Sequence, residues 1–196
     1  MGSLDEQIFR SINQGPEALT PFMRWASTGL KSEAVLLVLL VLVVALAWRP
    51  ITRAGALTAA LGWPLANLVT DVCKATWPSP RPGNVLPDAI VRIGMSPSMG
   101  TASAHSANMM FIATVFLFYY RAWGIPWLAF ALLVGYSRVF LAAHYPSQVL
   151  LGWAVGVFTG WMVCQTVQAA LRVWGPRSTD RSADPPASDD SPATAR

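Results

Sequence analysis

The stretch EAVLLVLLVLVVALAW at residues 33–48 decides the fold class of this chain. Between its first glutamate and its last tryptophan every side chain is apolar, and Arg49 and Arg53 close the run. A helix that crosses the hydrocarbon core of a bilayer needs roughly 20 mostly apolar residues. The stretch therefore predicts the first membrane-spanning helix of the protein.

The composition of the whole chain agrees with a membrane protein. Of 196 residues, 54% are hydrophobic and 12% are charged, whereas a soluble domain carries about 25% charged residues. The mean hydropathy is +0.43, which excludes a disordered protein. The net charge of +4 comes from scattered residues with no basic stripe, so we expect no nucleic-acid partner. Cys73 and Cys164 are interpreted as small buried apolar residues.

Four further apolar segments follow the first. They cover residues 54–73, 104–120, 125–143 and 148–170. Before them, Ser3 and Glu6 have the spacing of a capping box, and the apolar residues at 8, 9 and 12 predict a short interfacial helix. We therefore predict an all-α, polytopic transmembrane helical bundle of about five spans plus an N-terminal interfacial helix. Residues 1–174 form the membrane-embedded domain, and 175–196 form a disordered tail.

Three polar clusters lie at the ends of these spans. They are Lys74-x6-Arg81-Pro82, Ser103-Ala104-His105 and Ser137-Arg138-x5-His144. The second span ends, the third begins and the fourth ends on the same side of the membrane, so we expect the clusters to converge. Charged residues at such positions are costly unless they are paired or functional, and both histidines of the chain fall here.

The residue types in these clusters favour phosphoryl chemistry. Lys74, Arg81 and Arg138 form a concentrated positive site, and arginine binds phosphate through a bidentate fork. Ser103 at a helix start adds a hydroxyl and neighbouring backbone N–H groups. Two histidines can divide the work, one attacking phosphorus and the other protonating the leaving oxygen. No P-loop or Mg²⁺-binding carboxylate cluster is present, so we expect hydrolysis without a metal or other cofactor.

Other interpretations of these polar residues compete with phosphoryl chemistry. A single histidine on an apolar span is more often a structural hydrogen-bonding residue. A metal site with two histidines would need a third ligand, for which Asp71 is the candidate. Arg92 and Asp88 in the loop are predicted to be solvated surface charges.

The three clusters resemble the signature motifs of the type 2 phosphatidic acid phosphatase (PAP2) superfamily, in order and in internal spacing. The resemblance implies a PAP2/haloperoxidase-like core. It also implies that His144 is the nucleophile that forms a phosphohistidine and that His105 is the general acid. Lys74, Arg81, Ser103 and Arg138 would then bind the phosphoryl oxygens.

Two positions depart from the family pattern. Ala104 stands where the family usually has glycine, and we expect it to fit if that backbone needs no positive φ. Gln148 stands where the family has the aspartate that orients the nucleophilic imidazole. Gln148 can accept a hydrogen bond through its carbonyl oxygen but brings no charge. A weakly active or non-catalytic phospholipid-binding homologue therefore remains an alternative, as does a vanadium-dependent haloperoxidase.

The expected substrate is a lipid that presents its phosphate at the bilayer edge. The chain is similar to bacterial undecaprenyl-diphosphate phosphatases, which serve cell-wall biogenesis. Phosphatidic acid, phosphatidylglycerol phosphate and lipid A phosphates are the alternatives. Five arginines flank the opposite span ends, and they are Arg49, Arg53, Arg121, Arg172 and Arg177. The positive-inside rule then predicts a multi-pass protein of the inner (plasma) membrane whose site faces the periplasm or exterior. The sequence predicts no oligomeric state.

Overall fold

A computed structural model describes residues 3–29 and 33–174 as an all-helical chain without a β-strand. Its helices are α1 (Leu4–Asn13), α2 (Thr20–Thr28), α3 (Glu33–Trp48), α4 (Pro50–Thr76), α5 (Pro82–Val85), α6 (Ala104–Tyr120), α7 (Ile125–Phe140) and α8 (Pro146–Trp174). Short 3₁₀ turns occupy Glu17–Leu19 and Arg121–Gly124. The predicted tail at 175–196 lies outside the described residues.

Each of the five predicted spans corresponds to one long helix, although the helix bounds differ at some ends. Helix α4 begins at Pro50 and continues to Thr76, so Lys74 lies in its last turn rather than in the following loop. Three helical stretches are long and apolar enough to cross a membrane, and they are Thr52–Thr76, Ala104–Phe140 and Pro146–Val173. The predicted count of five spans stays a prediction, because α3, α6 and α7 have only 16, 17 and 16 residues.

The stretch Ala104–Phe140 is a helical hairpin rather than one rod. Met109 and Ala113 of α6 pack in one apolar cluster with Val134 and Ala131 of α7. In sequence these residues lie symmetrically about the turn at Arg121–Gly124, as antiparallel helices require. The hairpin places the start of α6 and the end of α7 at the same end of the bundle.

Helix α6 is central, because it packs against α4, α7 and α8. Its contact with α8 depends on the glycines that follow one another at four-residue spacing in α8. A Cβ atom on Gly152 would lie 2.6 Å from the Ser103 carbonyl oxygen, and one on Gly156 would overlap the Ala107 carbonyl oxygen. The small-residue face therefore lets the two backbones approach closely, as in other membrane bundles.

The N-terminal helix α1 closes over the end of the bundle where α8 begins. The Ser3 hydroxyl accepts from the Glu6 backbone N–H, as the capping-box spacing predicts. The carboxylate of Asp5 then accepts from the backbone N–H and the hydroxyl of Ser147, at 2.9 and 2.5 Å. Because the first turn of a helix has unsatisfied N–H groups, Asp5 acts as a cap for α8 supplied by another helix.

The prediction that Arg92 is a solvated charge is wrong, because Arg92 is only 4% exposed. Its guanidinium donates to the carbonyl oxygens of Asn13, Gly15 and Phe140 at 2.6–3.1 Å and lies 4.3 Å from the centre of the Phe140 ring. It also pairs with Glu17 at 2.9 Å. Since these carbonyls lie at the carboxyl ends of α1 and α7, a cation is stabilised there. Asp88 is exposed, as predicted, and pairs with Arg10 at 2.7 Å.

Candidate active site

The three polar clusters meet at one end of the bundle around a cavity of about 270 Å³. The end of α4, the loop after it, the start of α6 and the segment after α7 all contribute to its wall. The charged and titratable residues that line it are Lys74, Arg81, His105, Arg138 and His144. The helices thus bring together side chains that are up to 70 positions apart in sequence, while their catalytic roles stay a prediction.

The end of α7 determines where His144 lies. Ala142 adopts a left-handed conformation with φ of 64° directly after the helix, a conformation that usually favours glycine. The backbone N–H groups of Ala143 and His144 then both donate to the Arg138 carbonyl oxygen, at 3.0 and 3.2 Å. The backbone N–H of Gly83 in α5 donates to the Ala142 carbonyl oxygen at 3.0 Å. This tight turn directs the His144 ring into the bundle, where it is 2% exposed.

The partners of His144 determine its tautomer. Arg81 Nη1, which can only donate, lies 2.9 Å from His144 Nε2. The carbonyl oxygen of Gly100, which can only accept, lies 3.0 Å from Nδ1. We therefore assign the proton of the neutral imidazole to Nδ1, which leaves a lone pair on Nε2. Burial lowers the pKa of His144 well below 6.5, and the positive charges of Arg138 and Arg81 lower it further.

Gln148 stands where the family has aspartate, and its amide is held at both ends. Its Oε1 accepts from the Tyr145 N–H and faces His144 Nδ1, both at 3.2 Å. Its Nε2 donates to the Pro80 carbonyl oxygen at 2.9 Å and faces the Ser79 hydroxyl at 3.2 Å. The Pro80 carbonyl requires a donor, so the surroundings match an amide. Two neutral oxygens, from Gly100 and Gln148, orient the imidazole in place of a carboxylate.

Gly100 has a second role in this arrangement. A Cβ atom on Gly100 would lie 2.5 Å from Gln148 Oε1 and 2.7 Å from its Nε2. Only a glycine lets the backbone carbonyl and the Gln148 amide reach the same imidazole nitrogen. The sequence analysis missed Gly100, because its neighbours in the chain give no signal and Gln148 lies 48 positions away.

Arg81 is held by the loop between α5 and α6. It is 7% exposed, and its guanidinium donates to the carbonyl oxygens of Ser98 and Ala143 at 2.9 and 3.1 Å and to the Ser98 hydroxyl at 3.1 Å. Burial lowers its pKa, although an arginine stays charged in proteins. The loop therefore fixes a desolvated cation beside the His144 lone pair.

The other two cations are held differently. Arg138 is also 7% exposed, and its Nη1 donates to the Ser27 hydroxyl of α2 at 2.6 Å. Its Nε is buried and has no hydrogen-bond partner among the residues that the structure describes. Lys74 pairs with Asp71 one turn earlier in α4, at 2.7 Å. Ser27 was missed by sequence reasoning, because nothing near it in the chain indicates a distant arginine.

The start of α6 carries the second cluster. Ser103 caps the helix, and its fully buried hydroxyl accepts from the Ser106 hydroxyl at 3.0 Å, so its side chain bonds within α6. Ala104 is the first residue of α6 and does not adopt a positive φ, so an alanine fits there. Ala104 and His105 line the cavity at a helix N-terminus, where backbone N–H groups favour an anion.

Asp71, the candidate third ligand for a metal, is paired with Lys74. Within residues 3–29 and 33–174, no three His, Cys, Asp or Glu side chains cluster closely enough to hold a metal ion. The cavity lining is cationic, so its chemistry matches an anion rather than a metal.

Comparison with known families shows which proteins this chain is similar to. The family model described as the PAP2 superfamily matches residues 54–172, which is more than half of the chain. The chain belongs to the PAP2 superfamily. The prediction made from the three motifs is thereby confirmed at the level of the family and of a phosphatase-type enzyme.

Two solved structures share the fold. Aquifex aeolicus LpxE superposes with a TM-score of 0.70 and 23% identity, over 84% of this chain and 96% of that one. A transmembrane PAP2-type phosphatidylglycerolphosphate phosphatase from Bacillus subtilis superposes with a TM-score of 0.68 and 22% identity, over 84% and 85% of the two chains. At this identity they support the all-α bundle, and with the three apolar stretches they identify a membrane protein.

Short matches to curated proteins also exist. Glucose-6-phosphatase 3 of Rattus norvegicus is 50% identical over 44 residues, and that of Bos taurus is 52% identical over 46 residues. Each match covers 22% of this chain and 13% of the relative. The similarity is therefore confined to a small part of those longer proteins.

We predict that Gly100→Ala lowers kcat for phosphate release about 100-fold and changes KM little. The added methyl group would displace the Gln148 amide and turn the His144 ring, and a shift of about 1 Å at a reacting group costs this much. Steady-state hydrolysis of a lipid phosphate in detergent measures both constants. Gly160→Ala in α8 is the control for an added methyl group away from the cavity, because a Cβ atom there stays 3.0 Å or more from its neighbours. Equal rates for the two variants would contradict the positioning role of Gly100.

Proposed function

We propose that this protein is an integral-membrane lipid phosphatase that works through a phosphohistidine on His144, without a metal ion. The observation that carries the proposal is the His144 Nε2 lone pair, which faces a cavity lined by three cations and a second histidine. An anionic phosphoryl group fits this lining. The position of the cavity at the ends of the apolar stretches supports a lipid headgroup as its ligand.

In the first step, His144 Nε2 attacks phosphorus while the bond between phosphorus and the leaving oxygen breaks. His105 donates a proton to that oxygen, so the lipid leaves neutral if it is an alcohol. Arg81 exchanges its contact with Nε2 for a phosphoryl oxygen, and Lys74 and Arg138 bind the others. The imidazole becomes positively charged, and its Nδ1–H remains bonded to the oxygens of Gly100 and Gln148.

In the second step, water attacks the phosphorus of the phosphohistidine. His105, which is now neutral, accepts a proton from this water, and the P–N bond breaks. Inorganic phosphate leaves, His144 regains its lone pair, and His105 is again ready to donate. A nucleophile that is already neutral at physiological pH suits this cycle, and the low pKa of His144 provides it.

We predict that His144→Ala lowers the rate of phosphate release at least about 10⁴-fold, because the nucleophile is lost. The assay follows phosphate release from a lipid phosphate by protein in detergent with excess EDTA. His144→Gln keeps a polar side chain of similar size and serves as a second variant. Turnover that survives in either variant would remove His144 from the mechanism, and loss of wild-type activity in EDTA would contradict hydrolysis without a metal.

We predict that protonation of the nucleophile does not lower the kcat/KM of the wild-type enzyme until the pH is well below 6.5. The folded-state pKa of His144 is depressed, so the nucleophile is protonated only at lower pH. In Gln148→Glu a carboxylate replaces the amide beside Nδ1 and stabilises the imidazolium, so the pKa of His144 rises. The acid limb of the pH profile then moves to higher pH. An unmoved limb would show that Gln148 does not act on the reacting imidazole.

The absence of a carboxylate supports a second candidate, a non-catalytic phospholipid-binding homologue. In that case the wild-type protein binds lipid phosphates without turnover, and Gln148→Asp gains activity. The amide-matched surroundings of Gln148 favour the enzyme, because they hold the imidazole in a productive orientation. Halide oxidation with added vanadate tests the haloperoxidase alternative.

For the substrate, the sequence resemblance favours undecaprenyl diphosphate, which would place the protein in cell-wall biogenesis. Phosphatidic acid and phosphatidylglycerol phosphate are the alternatives, and one of the similar structures is a phosphatidylglycerolphosphate phosphatase. Glucose-6-phosphatase 3 adds a phosphorylated sugar to the chemistry found among relatives. A panel of these lipids at equal detergent-to-lipid ratio ranks them by kcat/KM.

We further propose that the cavity faces the exterior of the plasma (inner) membrane. Arg49 and Arg121 lie at the ends of α3 and α6 opposite the cavity, and Arg172 lies at the distal end of α8. Arginine-rich ends stay in the cytoplasm. In a background without Cys73 and Cys164, we expect an impermeant thiol reagent to label Asn84→Cys in intact cells and Arg121→Cys only after lysis. The reverse pattern would overturn this orientation.

A further inference from the structure

Two further cavities adjoin the one around His144, and we call the row of three the groove, with a polar section near His105 and an apolar section beyond it. Ala104 and His105 line both the first cavity and a second one of about 370 Å³. Trp63 and Met109 line both the second cavity and a third one of about 320 Å³. The three cavities are therefore neighbours in sequence along α6, and helices α3, α4 and α7 contribute the rest of their walls.

The third cavity is lined by apolar side chains throughout, among them Leu42, Leu46, Ile112 and Phe116. Only the hydrocarbon part of a lipid has matching chemistry over this length. The second cavity differs, because Asn67 of α4 and Asn108 of α6 face each other in its wall. Polar residues inside spanning helices are costly, and where they line a cavity they mark a substrate path.

The hydrogen-bonding groups of these two amides are only partly paired with each other. Asn108 Nδ2 donates to Asn67 Oδ1 at 2.9 Å, and Asn108 Oδ1 is buried without a hydrogen-bond partner among the described residues. Exchanging oxygen and nitrogen in both amides keeps the bond between them and makes the buried unpartnered atom of Asn108 an N–H donor. A buried polar atom of either kind is costly unless a ligand pairs with it, and a hydroxyl group can both donate and accept.

The position of the pair along the groove identifies the part of the ligand that it meets. Asn108 lies one helical turn below His105, which is about 4.5 Å along the axis of α6, and Ile112 lies about 10 Å along the same axis. The pair therefore lies directly beyond the phosphate and before the hydrocarbon. The alcohol that carries the phosphate occupies this place in a phospholipid.

We propose that Asn67 and Asn108 form a subsite for hydroxyl groups on the alcohol portion of the substrate. The preferred substrate is then a lipid whose phosphate is carried by a glycerol or a sugar, rather than by a bare polyprenyl chain. This inference rests on the proposed lipid phosphatase activity and selects among its candidate substrates. It favours phosphatidylglycerol phosphate and the sugar-based alternatives, whose phosphorylated alcohol carries a free hydroxyl, over phosphatidic acid and undecaprenyl diphosphate.

The test compares three monophosphates in detergent. They are 1-oleoyl-glycerol 3-phosphate, an alkyl glucoside 6-phosphate and geranylgeranyl phosphate, which has no polar atom beyond its phosphate. We expect kcat/KM to be about tenfold or more higher for at least one hydroxyl-bearing lipid than for geranylgeranyl phosphate, because one or two hydrogen bonds distinguish them. The two hydroxyl-bearing lipids separate a glycerol from a sugar.

The double variant Asn67→Leu/Asn108→Leu removes both amides together and leaves no half of the pair unsatisfied. In this variant we expect the ratio of kcat/KM for the hydroxyl-bearing lipids to kcat/KM for geranylgeranyl phosphate to fall close to one. The hydroxyl-bearing lipids are then hydrolysed more slowly, and geranylgeranyl phosphate is hydrolysed as before. Asn108→Ser, which keeps one hydroxyl, covers the case in which the double variant does not fold. Thr159→Val is the matched control, because it removes a buried hydroxyl that bonds within α8 at 2.7 Å.

Two outcomes would overturn the subsite. One is an equal kcat/KM of the wild-type enzyme on all three lipids. The other is a double variant that loses the same share of its activity on all three lipids and has a lower melting temperature, because the asparagine pair then serves helix packing. Failure of the phosphatase proposal looks different, because no lipid then releases phosphate. In that case displacement of a fluorescent lipid phosphate by the three lipids decides the subsite, and the same preference in binding supports it while equal binding overturns it.

Discussion

The whole site depends on one imidazole held between a donor and two acceptors. Arg81 faces Nε2 of His144, while the oxygens of Gly100 and Gln148 face Nδ1. This arrangement fixes both the orientation and the tautomer of the ring, because a guanidinium only donates and a carbonyl only accepts. Every element that touches these groups, from the loop before α5 to the first turn of α8, is constrained by that geometry.

The peripheral helices add to this constraint from outside the bundle core. Arg92 ties the ends of α1 and α7 together through buried carbonyl oxygens. Asp5 caps α8 just ahead of Gln148, and Ser27 of α2 holds Arg138. Two short N-terminal helices thus fix three groups around a site whose reactive residues all come from later in the chain. Their packing explains why polar residues with no motif around them are buried.

Short-range sequence patterns predicted those features that depend on neighbouring residues in the chain. The helices appear where apolar runs predict them, the Ser3 cap forms, and the three motifs identify the family, because their spacing is fixed within single turns and helix ends. Arg92 was misread, since its burial depends on carbonyls of Asn13 and Phe140, far away in the chain. From the sequence, Gln148 lacks the negative charge that an aspartate would bring to the orientation of the nucleophilic imidazole. The contacts of its amide with Pro80 and its meeting with Gly100 cannot be read from spacing.

Hydropathy and motif spacing act over short distances, so they were enough to predict a membrane bundle of the PAP2 superfamily and the residue types of its cationic site. Tertiary contacts instead fix which atom of His144 is available, what orients the ring without a carboxylate, and how the groove changes from polar to apolar. These properties arise where side chains from different helices meet. Their distances are set by packing around α6 and not by separation along the chain.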